Sequence, residues 1–134
     1  MEEVDIVDEN DEVTGKCTKY DADEKKFLHR VVHCFVINDK KEIFLVKRAK
    51  HRRRGAGLYD ASIGGHVKSG ESYDKAMKRE GEEELGIEGK YKFLFKHVSK
   101  TGLSHMVAVY LLKYNDDKIE VNKDESSEGY WKSF

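Results

Sequence analysis

The segment from Ser72 to Leu85 constrains this chain most, because it predicts a helix with carboxylates on the side that faces the protein core. On a helical wheel, at about 100° per residue, one narrow arc holds the apolar side chains of Tyr73, Ala76 and Met77. Glu80 and Glu84, one turn apart, fall in the middle of the same arc. Gly86 then predicts the C-terminal end of the helix.

Two carboxylates on one inward face are costly to bury unless a cation compensates their charge. A bound divalent ion that prefers hard oxygen ligands, Mg²⁺ or alternatively Mn²⁺, would relieve both the desolvation and the mutual repulsion. The alternative is a solvated acidic helix, since the chain carries 26 Asp and Glu residues among its 134. Helix geometry alone leaves these two interpretations equally open.

The spacing of residues around the helix separates the two interpretations. From Gly65 to Ile87 the chain reads G-x5-E-x7-R-E-G-E-E-E-L-G-I. This pattern resembles the Nudix box, G-x5-E-x7-R-E-U-x-E-E-x-G-U, in which U is a bulky apolar residue, and all seven invariant letters match. One position departs, because Gly81 occupies the first U position, where it costs about 1 kcal/mol of helix propensity and removes a packing contact.

The resemblance implies a role for the residues at the centre of the box. Glu80 and Glu84 would be metal ligands, and Glu83 would be either a further ligand or the base that activates water. The backbone carbonyl of Gly64 would complete the coordination, and Gly65 would let the backbone approach the metal and the diphosphate closely. The implied reaction is the attack of water on a phosphorus atom of a diphosphate, with Mg²⁺ as the cofactor.

Three further residues of the box would position these groups. Arg79, four residues before Glu83, would orient that catalytic carboxylate through a salt bridge. Glu71 would brace the junction between the loop and the helix, and Gly86 would end the helix. The resemblance thus implies two structural residues and one positioning residue beside the metal ligands.

Other functional residues are expected outside the helix. A catalytic base in such enzymes often lies on a later loop or strand, and Glu128 or Glu125 would supply it here, with plain surface placement as an equal alternative. Arg48, at the end of a predicted strand, would contact the substrate together with Gly65 and His66. The other residues of the basic run, 49–54, are interpreted as a solvated surface loop.

The resemblance extends from about Val4 to Trp131, and the chain is similar to the branch that contains isopentenyl-diphosphate isomerase and its hydrolase-like relatives. In the isomerase a cysteine does the protonation chemistry, and Gly64 occupies the matching position here. The third histidine of the isomerase's metal site would fall near Ala22, and its glutamates in the strand near Leu103 and His105. These differences favour a hydrolase, and the intact box argues against a non-catalytic Nudix module that binds a ligand or a protein.

Three histidines, His29, His66 and His105, form a further candidate group. His29 and His66 match two histidines of the isomerase's metal site, so the three rings are a candidate second metal site, since imidazole suits zinc and similar ions. The alternative, which the sequence favours, is that each ring forms a local hydrogen bond or helps to bind phosphate.

Apolar and polar residues alternate in several segments and predict an α/β (α+β) fold. The main strand-like segments are Val4–Val7, Val13–Tyr20, Arg30–Ile37, Glu42–Lys47, Tyr91–Ser99 and His105–Tyr114. The first two would form an N-terminal β-hairpin within residues 1–20, and the next two a second hairpin. The resemblance implies a Nudix-type α/β/α sandwich with a mixed central sheet, in one domain over residues 1–134 that lacks the C-terminal helix of its relatives.

Composition narrows the partners and the compartment. The 25 Lys and Arg residues nearly balance the 26 acidic ones, which argues against a dedicated nucleic-acid binder. The sequence shows no secretory signal and no apolar run near the roughly 20 residues of a membrane span. Cys17 and Cys34 are therefore expected as reduced thiols in a cytoplasmic enzyme. The expected partner is a small-molecule diphosphate, and a homodimer is an open alternative.

Overall fold

The computed structural model describes residues 2–48, 59–60, 62–99, 104–115, 119 and 126–134. Within these ranges two helices and nine strands form an α+β fold. The helices are α1 (Lys19–Lys25) and α2 (Tyr73–Leu85). In chain order the strands are β1 (Glu3–Val7), β2 (Val13–Thr18), β3 (His29–Ile37), β4 (Glu42–Arg48), β5 (Tyr59–Asp60), β6 (Ile63–His66), β7 (Lys92–Ser99), β8 (His105–Lys113) and β9 (Ser126–Ser133).

One mixed sheet contains all of these strands, and β3 lies at its centre. β3 runs parallel to β8 along its whole length, from the pair His29–His105 to the pair Ile37–Lys113. Its other partners, β1, β4 and β6, are antiparallel to it. The predicted mixed sheet is therefore confirmed, and β3 and β6 bring several of the candidate site residues side by side.

In the second predicted hairpin, formed by β3 and β4, the two strands pair with each other only next to the turn. The side chain of Asn38 accepts hydrogen bonds from the backbone N–H groups of Lys40 and Glu42, at 3.0 and 3.1 Å. Across the turn the register pairs Ile37 with Ile43, and beyond that point β4 pairs with β5 and β9 instead. The hairpin prediction was wrong in its extent, because a local pattern specifies a turn but not the partners of each strand.

The N-terminal hairpin forms as predicted, but its second strand is shorter. β2 ends at Thr18 and not at Tyr20, because Thr18 caps a helix that the sequence did not lead us to expect. The hydroxyl of Thr18 accepts a hydrogen bond from the backbone N–H of Asp21 at 3.1 Å. Ala22 is the buried residue of α1, so this short helix lacks the apolar stripe that reveals most helices.

Three strands, β5, β6 and β9, were also not predicted. β6 contains two adjacent glycines and pairs with β3, from Val31 opposite His66 to Cys34 opposite Ile63. β9 pairs with β4, and the described side chains at its start, Glu128 and Tyr130, are exposed. Such strands are held by their backbone ladders and give little hydrophobic alternation in the sequence.

Helix α2 packs on one face of the sheet and closes the main core. Its apolar side chains Ala76, Met77 and Leu85 are at most 3% exposed. They pack with buried side chains of the sheet, among them Val32, Val36, Phe44, Ala108 and Leu112. Burial of each large apolar side chain contributes roughly 1.5–3 kcal/mol. This packing fixes the helix that carries the candidate metal ligands.

The N-terminal hairpin also fixes the loop that leads into α2. The carboxylate of Asp5 in β1 accepts hydrogen bonds from the hydroxyl of Ser69 at 2.6 Å and from the N–H of Gly70 at 3.2 Å. The N–H of Ser69 donates to the carbonyl of Glu3 at 2.8 Å. β1 is therefore part of the framework of the site.

Neither helix in the described part of the chain is long and apolar enough to cross a membrane. Cys17 and Cys34 are both free, as expected. Burial raises the pKa of the Cys34 thiol to about 12, so this cysteine is a packing residue and not a nucleophile.

Candidate functional site

Helix α2 has well-formed ends, which set the rotation of its side chains. At the start, the hydroxyl of Ser72 accepts a hydrogen bond from the N–H of Lys75 at 3.2 Å. At the end, Gly86 has a φ of 65°, and its N–H donates to the carbonyl of Glu82 at 3.1 Å. A left-handed residue at this position suits glycine, so Gly86 ends the helix where the sequence predicts.

The glutamates of α2 divide between two faces of the helix. Glu80 and Glu84 are only 7% and 9% exposed, as the helical wheel predicts. The side chain of Glu83 is 50% exposed, and Glu82 is exposed as well. The helix therefore carries a buried pair of carboxylates with a third one at its solvent-facing edge.

Strand β6 brings its glycines against this buried pair. The N–H of Gly64 donates a hydrogen bond to Oε2 of Glu84 at 3.2 Å. A Cβ atom on Gly65 would collide with the carboxyl group of Glu80. The absence of a side chain at Gly65 is thus what lets strand and carboxylate approach each other.

Arg79 binds three carboxylates and one carbonyl. Its Nε and one terminal nitrogen donate to both oxygens of Glu71, each at 2.9 Å. The other terminal nitrogen donates to Oε1 of Glu80 at 2.8 Å and to Oε2 of Glu83 at 3.3 Å. The guanidinium also donates to the carbonyl of His66 at 3.0 Å. A bidentate pair with Glu71 fixes Arg79 in the orientation from which it contacts the other two glutamates.

The pKa values in this network follow the charge pairing. The hydrogen bonds from Arg79 hold the pKa of Glu71 below its usual range, although burial acts in the opposite direction. The carboxylates of Glu71 and Glu80 in turn raise the pKa of Arg79. Glu71 therefore stays ionised near neutral pH and keeps Arg79 in place.

The donor set of this site fits a hard divalent cation. Glu80 and Glu84 supply two nearly buried carboxylates beside the backbone groups of a glycine pair. Carboxylate and carbonyl oxygens are the ligands that Mg²⁺ and Mn²⁺ prefer. The residues present therefore match the ion that the sequence implied.

The departure from the box at Gly81 has a partner elsewhere in the chain. A Cβ atom on Gly81 would collide with the hydroxyl of Tyr91. That hydroxyl donates a hydrogen bond to the carbonyl of Ile87 at 3.0 Å. Tyr91 occupies the space of the missing side chain, so the packing contact expected to be lost at Gly81 is supplied by another residue.

The three candidate histidines lie together, in a cluster separate from the buried glutamates. The rings of His29 and His66 are stacked with their centroids 5.2 Å apart, and His105 stands perpendicular to them, 4.9 Å from His29. Asp23 of α1 joins the cluster, and one ligand atom from each of the four residues lies within 4.8 Å of the others. The sequence favoured a local hydrogen bond for each of these rings. Among the described residues one such bond is found, between Nδ1 of His29 and the carbonyl of Phe27.

The pKa values in this cluster reflect burial and mutual repulsion. Burial lowers the pKa of His29, and burial together with His29 and His66 lowers the pKa of His105 to about 3. The neighbouring imidazole of His66 holds the pKa of Asp23 below its usual value, although burial opposes this. His29 and His105 are therefore neutral and Asp23 is ionised near neutral pH.

Asp23 is the site residue that sequence reasoning missed. The resemblance to the isomerase places a metal-binding histidine near Ala22, the residue directly before Asp23. The pattern Thr18-x-x-Asp21 is a helix-start signal, and a helix from Lys19 would have turned Asp23 towards the histidines.

The predicted site residues outside the box are not tested by the structure. Glu128 lies on β9 with an exposed side chain, opposite Lys47 of β4. Arg48 ends β4, as expected, but its side chain and residues 49–54 are outside the described part, as is Glu125. The roles of Arg48 and Glu128 stay predictions.

Comparison with known proteins supports a family relationship. The model of the NUDIX domain matches residues 27–134 of this chain. The chain is 35% identical over 139 aligned residues to isopentenyl-diphosphate Delta-isomerase 1 of Photorhabdus laumondii, with 98% of this chain and 79% of that protein covered. It is 32% identical over 134 residues to a Nudix hydrolase of Deinococcus radiodurans, covering 97% and 78% of the two chains.

A solved structure agrees with the fold. A crystal structure of a protein from Deinococcus radiodurans superposes with a TM-score of 0.85 and 31% sequence identity, over 98% of this chain and 83% of the other. The similarities thus reach proteins named as hydrolases and proteins named as isomerases, so the residues of the site must distinguish the two reactions.

Proposed function

This chain belongs to the Nudix family, and from that premise we propose that it hydrolyses the diphosphate linkage of a small molecule with Mg²⁺ bound at Glu80 and Glu84. The observation that carries the proposal is the pair of nearly buried carboxylates that faces the glycines of β6. Several relatives are named as Nudix hydrolases, whereas the metal ion and the substrate class are parts of this proposal alone.

Glu80 and Glu84 would hold the ion, and Gly65 leaves room for the Glu80 carboxyl group beside β6. Bound Mg²⁺ would neutralise charge on the diphosphate oxygens and lower the pKa of the attacking water. The N–H of Gly64 keeps Glu84 turned towards β6, so both carboxylates point to the same side of the helix. The network built on Arg79 keeps this arrangement fixed before substrate arrives.

Glu83 is the residue we assign to activation of water. Its partly exposed carboxylate lies 3.3 Å from Arg79, at the edge of the buried pair. Arg79 acts as a positioning residue, because Glu71 and the carbonyl of His66 hold the guanidinium while it contacts Glu83. Glu83 then accepts a proton from water as the water attacks phosphorus. Glu128, exposed on β9, is the alternative base.

The substrate class we propose is a nucleoside diphosphate derivative or another organic diphosphate. Arg48 at the end of β4 would bind its phosphates electrostatically, together with the backbone at Gly65 and His66. The residues of the box would recognise the diphosphate itself. The surrounding loops would select the organic group attached to it.

Isomerisation of isopentenyl diphosphate is the second candidate function. It is favoured by the 35% identity to an isomerase and by the cluster of Asp23 with three histidines. It is opposed by Gly64, which stands where the isomerase carries its catalytic cysteine. A backbone hydrogen atom in place of a thiol cannot transfer a proton to an alkene carbon.

The test is a turnover screen in H₂¹⁸O with Mg²⁺ over dinucleotides, nucleotide sugars, nucleoside triphosphates and prenyl diphosphates. We expect release of phosphate or diphosphate products that carry one ¹⁸O atom per cleavage, as water attack on phosphorus requires. Glu83→Gln is expected to lower the rate on the best substrate by about 100-fold or more. The Gly64→Cys variant is incubated with isopentenyl diphosphate in the same screen, to measure isomerisation when a thiol is present at this position.

Two outcomes would overturn the proposal. One is conversion of isopentenyl diphosphate to its isomer by the wild-type chain without ¹⁸O uptake. The other is no turnover of any diphosphate, with ligand binding unaffected by Glu83→Gln and Glu84→Gln.

A cytoplasmic location and a homodimer complete the proposal. The free thiols of Cys17 and Cys34 support a reducing compartment. For the homodimer, β2 is the outer strand of the N-terminal hairpin and offers an unpaired edge among the described strands. Light scattering of the purified chain, at about 31 kDa for a dimer of the 15.5 kDa chain, tests this point.

A further inference from the structure

A cluster of four possible metal ligands joins α1 to the sheet, separate from the Glu80 and Glu84 pair. We propose that Asp23, His29, His66 and His105 bind one transition-metal ion of the zinc type, which holds α1 on the sheet. The site goes beyond the hydrolytic reaction, since none of its four side chains belongs to the predicted Mg²⁺ ligands.

Geometry brings one ligand atom from each residue to a common point. Oδ1 of Asp23 lies 3.7 Å from Nε2 of His29 and 3.9 Å from Nε2 of His66. All four ligand atoms lie within 4.8 Å of one another. Ligands of a tetrahedral ion with bonds of about 2.0–2.1 Å stand roughly 3.3 Å apart. Small side-chain rotations would therefore bring all four to bonding distance.

The ligand atoms are buried and have no hydrogen-bond partner among the described residues. They are Oδ1 of Asp23 and Nε2 of His29, His66 and His105. His29 is fully buried, with 0% of its surface exposed. One orphaned polar atom in a core calls for an explanation, and four that converge on one point call for a shared partner. A cation satisfies all four at once.

The tautomer of His29 is already that of a ligand. Its Nδ1 lies 2.7 Å from the carbonyl of Phe27. A carbonyl can only accept, so Nδ1 carries the hydrogen and Nε2 presents its lone pair to the cluster. A hydrogen bond of this kind, from the nitrogen that faces away from the metal, is how proteins orient ligating histidines.

The chemistry of the donors selects the ion. Three imidazoles and one carboxylate suit zinc, cobalt and similar divalent ions, whereas Mg²⁺ prefers oxygen ligands alone. Four protein ligands fill a tetrahedral shell and leave no position for substrate, which is the pattern of structural zinc sites. The ion would therefore stabilise and position the surrounding elements.

The four ligands join four separate elements of the fold. Asp23 comes from α1, His29 from β3, His66 from β6 and His105 from β8. The carbonyl of His66 also accepts the hydrogen bond from Arg79. An ion bound to the His66 ring would thus restrain the end of β6, whose carbonyl accepts the hydrogen bond from Arg79. This contact links the second site to the helix that carries Glu80 and Glu84.

Titration of the metal-free full chain with Co²⁺, in a large excess of Mg²⁺, tests the proposal. We expect one Co²⁺ per chain with the intense visible absorption of a four-coordinate ion, and zinc is expected to displace it. At a hundredfold excess over Kd the ion should raise the melting temperature by about 5–10 °C. Hydrogen exchange of the α1 amides should slow when the ion is bound.

Matched variants separate this site from the glutamate pair. Asp23→Asn and His105→Asn should each weaken Co²⁺ binding by about 100-fold, with unchanged circular dichroism. His97→Asn, on an exposed position of β7, and the double variant Glu80→Gln/Glu84→Gln should bind Co²⁺ like the wild type. Wild-type protein that takes up no Co²⁺, or that loses it in the glutamate double variant, would overturn the proposal. Both outcomes leave Mg²⁺-dependent hydrolysis a separate question.

Discussion

A single missing side chain at Gly65 gives the site its shape. The Cβ atom of any other residue would occupy the place of the Glu80 carboxyl group. A substitution there displaces a metal ligand, while one at Gly15 meets only Ile6, at an ordinary contact distance of 3.8 Å. The two glycines therefore form a matched pair for testing the site at the scale of one residue.

We expect Gly65→Ala to lower catalysis by about 100-fold, because a displacement of a reacting group by about 1 Å has an effect of that size. Binding of Mn²⁺, followed by electron paramagnetic resonance, should weaken in parallel. Gly15→Ala should leave both unchanged. Wild-type Mn²⁺ affinity and rate in Gly65→Ala would show that Glu80 is not a ligand.

Gly81 and Tyr91 form a second pair at this scale. In the wild-type background we expect Gly81→Ala to destabilise the fold by roughly 1–3 kcal/mol, because the new methyl group meets the Tyr91 hydroxyl. In a Tyr91→Leu background the same change should stabilise the helix by up to about 1 kcal/mol. Urea unfolding of the four proteins in a double-mutant cycle measures this coupling. Equal effects in both backgrounds would contradict the packing described here.

At the scale of elements, Asp11 joins the N-terminal hairpin to β3, α2 and β7. Its carboxylate accepts hydrogen bonds from Arg30 at 2.7 Å, Tyr73 at 2.8 Å and Lys96 at 2.8 Å. Burial alone would raise the pKa of Asp11, but the bonds from Lys96, Arg30 and Tyr73 outweigh it and lower the pKa. A lowered folded-state pKa adds stability above the unfolded value of about 3.9, and this is lost as pH falls through the folded value.

We therefore expect Asp11→Asn to cost about 2 kcal/mol of unfolding free energy at pH 7 and less at a pH well below the unfolded-state pKa of about 3.9. Asparagine tolerates the φ of 64° at this position, so backbone strain does not enter the comparison. Urea unfolding at both pH values gives the two differences. Asp8→Asn in the neighbouring turn is the control, with a small effect throughout. A cost for Asp11→Asn that does not change with pH would argue against an ionised carboxylate.

The elements differ in how well the sequence predicts them. α2 is predictable to within one residue, because Ser72, Gly86 and a 3.6-residue pattern act together. α1 is not, because it is short, highly charged and buries one alanine. The pairing of β3 with β8 is also invisible to local patterns, since it joins residues far apart in the chain. Long-range pairing decides how the histidines of these two strands meet, and so the sequence could name them without placing them.

Across the protein as a whole, the glutamate pair of α2 and the cluster of Asp23 with three histidines both lie against strand β6. The box residues could be named from the sequence alone, because their spacing along one helix determines which of them face inward. Asp23 could not, because its place depends on how α1 docks against three strands. The central claim for the molecule is that the inward pair of α2, Glu80 and Glu84, holds the divalent ion for hydrolysis.

The most direct test of that claim is the Mg²⁺ dependence of diphosphate hydrolysis in Glu84→Gln and Glu82→Gln. The two glutamates lie two residues apart on α2, one 9% exposed and the other on the solvent face. We predict that Glu84→Gln lowers the rate by about 100-fold or more and raises the Mg²⁺ concentration needed, while Glu82→Gln stays within about twofold of wild type. Equal rates and equal Mg²⁺ requirements in the two variants would show that Glu84 does not hold the ion.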